Sequence, residues 1–286
     1  MSDQNRASGT DEVLVEREAT TSVITINRPD ALNALAPSTV EGLNQALRAE
    51  ATDRSVRAIV LTGSGERAFC AGADVKGIAQ RDAADGPALD PITGGFENLH
   101  LTLSGITRLI HSLPIPVIAA VNGHCIGAGF AYASACDMRI GSTNAKFANG
   151  FVRRGISGAE MGLSYFLPRI VSPAVAFDWM MTGRRVEADE AHAAGLISDV
   201  TEPDALVSRA VELGAALAEN APMAVAMTKE VMWANLHAAS LDQAIALESR
   251  TQVMTRNTAD AKEARNAFLE KRSPEFGTPD APRVIR

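Results

Sequence analysis

The run Val117-Ile118-Ala119-Ala120-Val121 constrains this chain more than any other stretch. It is apolar without alternation, preceded by Pro114 and Pro116 and ended by Asn122-Gly123. Too short to cross a membrane, it reads as a buried strand. Beyond the turn, Gly127-Ala128-Gly129 opens a segment of small residues, Phe130 to Cys136, with helical spacing. A strand that turns through glycines into a helix leaves N–H groups unpaired at the helix start, where the dipole adds partial positive charge. Such a junction can hold an anion or a developing oxyanion. The same glycines would equally serve a tight turn or close helix packing.

A second unit of this kind lies upstream. Ala58 to Thr62 reads as another buried strand, followed by Gly63-Ser64-Gly65 and then Ala68-Phe69-Cys70-Ala71-Gly72-Ala73-Asp74. Small residues let a ligand approach the backbone closely. Two such loops could each supply one N–H to a single carbonyl oxygen.

The remainder of the chain sets the frame. Its 286 residues can bury a sizeable core, as one large domain or a core with an appendage. A net charge of −7 without a basic stripe argues against a nucleic-acid partner. Arg153-Arg154 and Arg184-Arg185 read as solvated pairs. Cys70, Cys125 and Cys136 lack metal-ligand spacing and read as reduced thiols of a cytoplasmic protein. The five histidines show no paired ligand spacing either, so no metal is expected. The polar N-terminus carries no apolar leader, and neither secretion signal nor membrane anchor is expected.

Residues 1–11 read as disordered. Val13-Leu14-Val15 and Ser22 to Ile26 suggest a hairpin, and Pro37 starts a helix with Val40, Leu43 and Leu47 on one face. Gly77 to Asn98 is rich in Gly, Pro and Asp, either a lid or a tolerated insertion. Helical spacing returns at Leu99–Leu113, and Asp137 to Ile140 reads as a short strand. Four helical segments follow from Pro203. The organisation expected is an α/β core over 12–202 and a helical region over 203–286 serving oligomerisation. Met223, Met227, Met232 and Trp233 read there as core or subunit packing.

Three motifs in order, Ile24 to Leu35 (ITINRPDALNAL), AFCAGAD and AAVNGHCIGAG, resemble the crotonase (enoyl-CoA hydratase/isomerase) superfamily, from about Val13 to Phe276. The resemblance implies an α/β fold of spiralling β-β-α turns, two roughly perpendicular sheets and a helical C-terminal region. It implies trimers or dimers of trimers that bind acyl-CoA thioesters and need no separate cofactor. It implies an enolate-like oxyanion held by two backbone N–H groups, here those of Ala73 and Ala128. Ala31, Leu32, Ala71, Asp74 and Val75 would line the CoA moiety; Asp74 could instead bond loop amides beside Gly72, and Lys76 reach a CoA phosphate or stay solvated.

The departures matter more. Hydratases of the superfamily hold water between two glutamates, at positions where this chain has Ala131 and Phe151. A methyl and a phenyl group cannot shuttle protons. Counting back from Leu167-Pro168, Glu160 matches the acidic position of dienoyl-CoA isomerases and of 4-chlorobenzoyl-CoA dehalogenases. The chain is one residue longer between Gly155 and Glu160 than that pattern. Glu160 reads as the proton-transfer group or, alternatively, as complementing the dipole of the following helix. The functional expectation is thus isomerase-like enolate chemistry rather than classical hydration, with Phe151 in the acyl pocket. The competing expectation is a binding or scaffold protein that has kept the fold without catalysis.

Overall fold

The structure is a computed structural model and describes residues 6–74 and 91–277. Its logic is alternation of strands between two sheets. The first carries β1 (Arg6–Thr10), β2 (Val13–Glu18), β3 (Thr21–Ile26), β4 (Ala58–Gly63), β6 (Val117–Val121), β8 (Met138–Ser142) and β11 (Val200–Thr201), in that spatial order. The second runs β10 (Val186–Glu187), β9 (Lys146–Ala148), β7 (His124–Ile126), β5 (Ala68–Cys70). Thus β4 and β5, β6 and β7, β8 and β9 each step from one sheet to the other, the crotonase-like spiral of β-β-α turns. The β3, β4, β6, β8 and β11 pairings are parallel, and every residue of β4 and β6 is buried. Strands covered on both faces need no polar alternation, which explains the unbroken apolar runs.

Several helices cover these sheets. α1 (Pro37–Thr52) buries Val40, Leu43 and Leu47 in the main core. After α2 (Pro91–Glu97), a π-helical stretch (Asn98–Leu103) leads into α3 (Ser104–Ser112). α4 (Ala128–Ala135) is buried on every side, as its lack of charged residues allows. α5 (Leu163–Ile170), α6 (Pro173–Thr182) and α7 (Ala188–Ala193) follow. The C-terminal helices are α8 (Leu206–Ala218), α9 (Pro222–Asn235), α10 (Leu241–Arg256) and α11 (Ala259–Glu270).

Three features differ from the sequence reading. Arg6–Thr10 pairs antiparallel with β2, so strand structure replaces the expected disorder from Arg6 on. The expected 77–98 loop falls outside the described residues up to 90, and its last part is helical. Lastly, α8 packs Leu206 and Ala210 against Val23, Val60, Ile118 and Ile140 on the outer face of the first sheet. It closes so tightly that a Cβ on Gly214 would stand 2.3 Å from Thr21 Oγ1. The boundary at residue 202 therefore cuts through a packed layer.

α9 is tied to the organising strand by charge. Lys229 Nζ lies 2.7 Å from Asp137 Oδ2, which also accepts from Val117 N at 2.8 Å. Trp233 Nε1 donates to Asp137 Oδ1 at 2.9 Å, and Lys229 also donates to Ile115 O at 3.1 Å. Both charged groups are mostly buried, so removing one leaves the other stranded in low dielectric. The Met/Trp stripe is split: Trp233 packs on the core while Met232 is exposed. Asp137→Ala should destabilise the protein by about 3–5 kcal/mol in denaturant unfolding, and adding Lys229→Met should recover part of that loss. A loss under about 1 kcal/mol would show that this tie does not hold α9.

Candidate active site

Two loops meet where β5 and β7 end. Gly72 has φ +96° and Gly127 φ +55°, backbone that side chains avoid. A Cβ built on Gly72 would stand 3.8 Å from Ala128 N, so the two turns face each other. One on Gly129 would stand 2.3 Å from Cys70 O, so only glycine lets α4 approach β5 there.

The bonding of the first loop sets the direction of its N–H groups. Ala71 N donates to Leu32 O at 3.1 Å, Leu35 N to Gly72 O at 2.8 Å and Asp74 N to Leu35 O at 3.0 Å. These bonds flank Ala73 in a parallel bridge with Leu35, which turns Ala73's own N–H away from that partner. Ala128 begins α4, so its N–H has no intrahelical acceptor. Among the described residues neither N–H has a hydrogen-bond partner. Two donors from facing turns, one at a helix N-terminus, can stabilise one developing oxyanion.

Of the predicted CoA-lining residues, Leu32, Ala71 and Asp74 take part in the backbone bonds that flank Ala73. Ala31 is exposed at the end of a 3-10 turn, and Leu32 and Asn33 follow at φ 52° and 55°. Two successive left-handed residues without glycine are strained, and such strain concentrates at functional sites. Arg28 holds the segment in place: its Nη1 donates to Ala34 O and its Nη2 pairs with Asp74 Oδ2 at 2.9 Å. Asp74 thus has a cationic partner that neither of its expected roles included. Val75 and Lys76 lie outside the described residues.

Phe151 stands at the second turn. Its Cζ would be 3.2 Å from a Cβ on Gly127, so the ring tip lies against the residue preceding Ala128. Ala131 is fully buried in α4. The neighbouring thiols offer no substitute chemistry, since burial pushes Cys70 up to about 12.

Glu160, on the segment leading into α5, has unusual surroundings for a carboxylate. Its Oε1 is buried with no hydrogen-bond partner among the described residues, and burial raises its pKa above the usual carboxylate value. Its side chain does not cap α5, whose N-cap is Gly162; only its carbonyl accepts, from Leu163 N at 2.9 Å. α5 and α3 both pack on α4.

Sequence reasoning passed over two asparagines inside its own motifs. Asn33 Nδ2 donates to Ala68 O at 2.6 Å and Ser64 O at 3.1 Å. Asn122 Nδ2 donates to Gly63 O at 2.9 Å and Ala68 O at 3.1 Å, and to Gly65 O. The signal was there: polar residues fixed between apolar strands and turns must find buried partners.

The alternating two-sheet spiral with paired backbone donors at a strand–helix turn defines a crotonase-fold enzyme. The family model for enoyl-CoA hydratase/isomerase matches residues 16–279, and the chain belongs to that family. A short-chain-enoyl-CoA hydratase of Clostridium acetobutylicum is 35% identical, over 92% of this chain and 96% of its own. A probable enoyl-CoA hydratase of Mycobacterium leprae is 37% identical, over 88% and 84%. Among solved structures, a probable enoyl-CoA hydratase/isomerase from Mycobacterium abscessus superposes with TM-score 0.83 at 35% identity, over 93% of this chain and 98% of that one.

Ala128→Pro removes one donor at a helix position that tolerates proline. In a variant with unchanged circular dichroism it should lower kcat on an active thioester by about 10²–10³-fold. Unchanged turnover would remove Ala128 from the site.

Proposed function

We propose that the chain converts acyl-CoA thioesters by enolate chemistry, with Ala73 and Ala128 as oxyanion donors and Glu160 as the proton-transfer group. Each backbone donor contributes about 3 kcal/mol to the transition state. Ala31, Leu32, Ala71, Asp74 and Val75 flank the CoA moiety, and Phe151 walls the acyl side. No cofactor enters beyond the CoA of the substrate, and the enzyme works in the cytoplasm.

The observation that supports this reading is the buried Oε1 of Glu160, which has no partner among the described residues. A carboxylate with ordinary structural duties would be paired or solvated. With Phe151 and Ala131 in place of a water-holding carboxylate pair, 1,3-proton transfer is favoured over hydration. The relatives named as hydratases keep water addition as the second reading, with Glu160 then the acid–base group of that step. Incubation with a panel of enoyl-CoAs in deuterated water, read by mass spectrometry, separates the two. Deuterium at the α or γ carbon without mass gain of water supports isomerisation; addition of water supports hydration.

Glu160→Gln should lower kcat by about 10²-fold or more and leave CoA binding nearly intact. The pH profile gives a second readout. Burial raises the folded-state pKa of Glu160, so the acid limb of kcat/KM should lie above the ordinary carboxylate range and vanish in the variant. The stability sign follows from the same shift. Between the unfolded and the raised folded pKa the native state binds the extra proton, so stability falls as pH rises through that window. Glu160→Gln should therefore raise Tm at neutral pH. A lowered Tm with unchanged kcat would make Glu160 a structural residue.

We propose a trimer or a pair of trimers. The supporting observation is apolar surface on the last two helices, where Leu241, Val253, Met254, Phe268 and Leu269 are exposed. Light scattering at micromolar concentration should give a multiple of three chain masses; a monomer mass would overturn it.

A further inference from the structure

We infer that the cavity beneath α9 is a second binding site, apart from the thioester site, for an amphiphile with a carboxylate head and an apolar chain of about ten carbons. The cavity has a volume of about 500 Å³ and lies between α9 and the turn that joins α3 to β6. Leu113, Pro114 and Ile115 line it from the turn, Met223, Ala226 and Met227 from the helix. Ala73, Ala128, Phe151 and Glu160 do not border it. Both its size and its mostly apolar walls are those of a small-molecule site.

The way α9 is held leaves this space open. Of its 14 residues only Lys229 is buried. Lys229 and Trp233 fasten the second half of the helix to Asp137, while Met223, Ala226 and Met227 on the first half stay half-buried. These three recur at helical spacing, so they share one face. A face of that kind is expected to fill a core, and here it fronts a cavity instead. Protein interiors keep few voids larger than a water molecule, and this one holds many times that volume. Methionine suits such a wall, because its unbranched, polarizable chain adapts to the shape of an occupant. Pro222 and Trp233 both line the cavity, which therefore follows α9 for about 16 Å.

Arg57 supplies the charge at one end. It lines the cavity beside the start of α9, where a Cβ on Gly277 would stand 3.1 Å from Arg57 Nη1 and 3.8 Å from Pro222 Cγ. Among the described residues its side chain has one hydrogen bond, donated to Asn220 O, and no ion pair. Asp260 attracts it from farther off, yet burial still holds its pKa below the ordinary guanidinium value. A carboxylate brought into the cavity would offset that burial, and its two oxygens match the arginine's remaining donors. The N-terminus of α9 adds partial positive charge at the same place. The other charges on the wall cancel: Lys229 is paired with Asp137, and Arg54 and Glu230 are of opposite sign.

The opposite end suits the apolar tail. His111 packs edge-on against Trp233 with ring centroids 4.7 Å apart, and burial pushes that histidine toward its neutral form. The Tyr165 hydroxyl is already hydrogen-bonded to His237 Nε2, and His237 Nδ1 lies 3.1 Å from Arg169 Nη2. Arginine only donates, so that nitrogen accepts and the ring is uncharged. With Tyr165 and His237 engaged in this way, the rings offer a tail apolar surface rather than a second place for a head group.

The test is isothermal calorimetry with decanoate, 1-decanol and decyltrimethylammonium, each below its micellar or solubility limit. Decanoate should bind at one site per chain, about tenfold or more tighter than either of the other two. Arg57→Gln, which keeps a donor for Asn220 O, should reduce that preference severalfold. Ala226→Phe fills the cavity and should abolish binding while leaving Tm unchanged or higher. In the unaltered protein, decanoate brominated at its terminal carbon should quench the emission of Trp233; Trp179 is buried and does not border the cavity. Should Ala226→Phe fail to fold, the quenching decides. Binding that survives a folded Ala226→Phe, or that quenches nothing, places the probe elsewhere, the thioester site included, and overturns the inference. Equal binding of decanol, or a preference for decanoate that Arg57→Gln leaves unchanged, overturns the carboxylate head. Met254, on the apolar surface offered to other copies, also borders the cavity. Failure of every probe to bind overturns the inference in favour of a second copy that fills the space.

Discussion

Two buried amide side chains hold the crossing on which the site depends. Where β4 leaves the first sheet and β5 enters the second, the chain from Gly63 to Ala68 has backbone groups that no strand can pair. Asn33 and Asn122 meet them from opposite sides, both donating to the Ala68 carbonyl. Asn122 also accepts from Gly63 N at 3.3 Å, and its own carbonyl accepts from Ser142 Oγ at 3.1 Å. Neither amide could be replaced by an apolar group of equal size without stranding buried carbonyls, at about 1–3 kcal/mol each. The positions of Ala73 and Ala128 follow from this crossing, because Ala73 lies just after β5 and Ala128 just after β7, which pairs with it.

Close approach is the second requirement. Backbone donors can share one oxyanion only if two turns come within a few ångströms, and that forbids side chains at the contact. Gly129 meets this need against Cys70. The small residues throughout α4 allow it to sit among β5, α3 and α5 with every residue buried. In the proposed site the oxyanion donors belong to the main chain, so they do not depend on which acid or base stands opposite.

This division also explains what the sequence made legible. Unbroken apolar runs and glycine turns report main-chain constraints, so β4, β6, α4 and the two turns could be read before any coordinates. The last four helices were equally visible from their spacing. Short strands were not: β7, β9, β10 and β11 span two or three residues each, too few to show a period. Their existence comes from pairing with distant partners. The same holds for side-chain clusters. Tyr165 and His237 are 72 positions apart, and nothing local in either segment announces the contact. Arg28 was inside a quoted motif, yet its ion pair with Asp74 spans 46 positions.

The acid–base question turns on desolvation more than on residue type. A carboxylate in water has a pKa too low to exchange protons efficiently with a thioester α-carbon near neutral pH. Burial of Glu160 without a compensating donor raises that value, and among the described residues no cation offsets it. Such an arrangement costs stability, a cost that the proposed proton-transfer role would offset. The phenyl ring of Phe151 serves the same end from the side of the turn. In that proposal an apolar ring beside Gly127 offers no hydrogen bond to a water, and a water-poor pocket would strengthen the pull of both N–H donors on a developing oxyanion. In the proposed mechanism a raised carboxyl at Glu160 and an apolar ring at the turn would each favour moving a proton along the substrate over adding water to it.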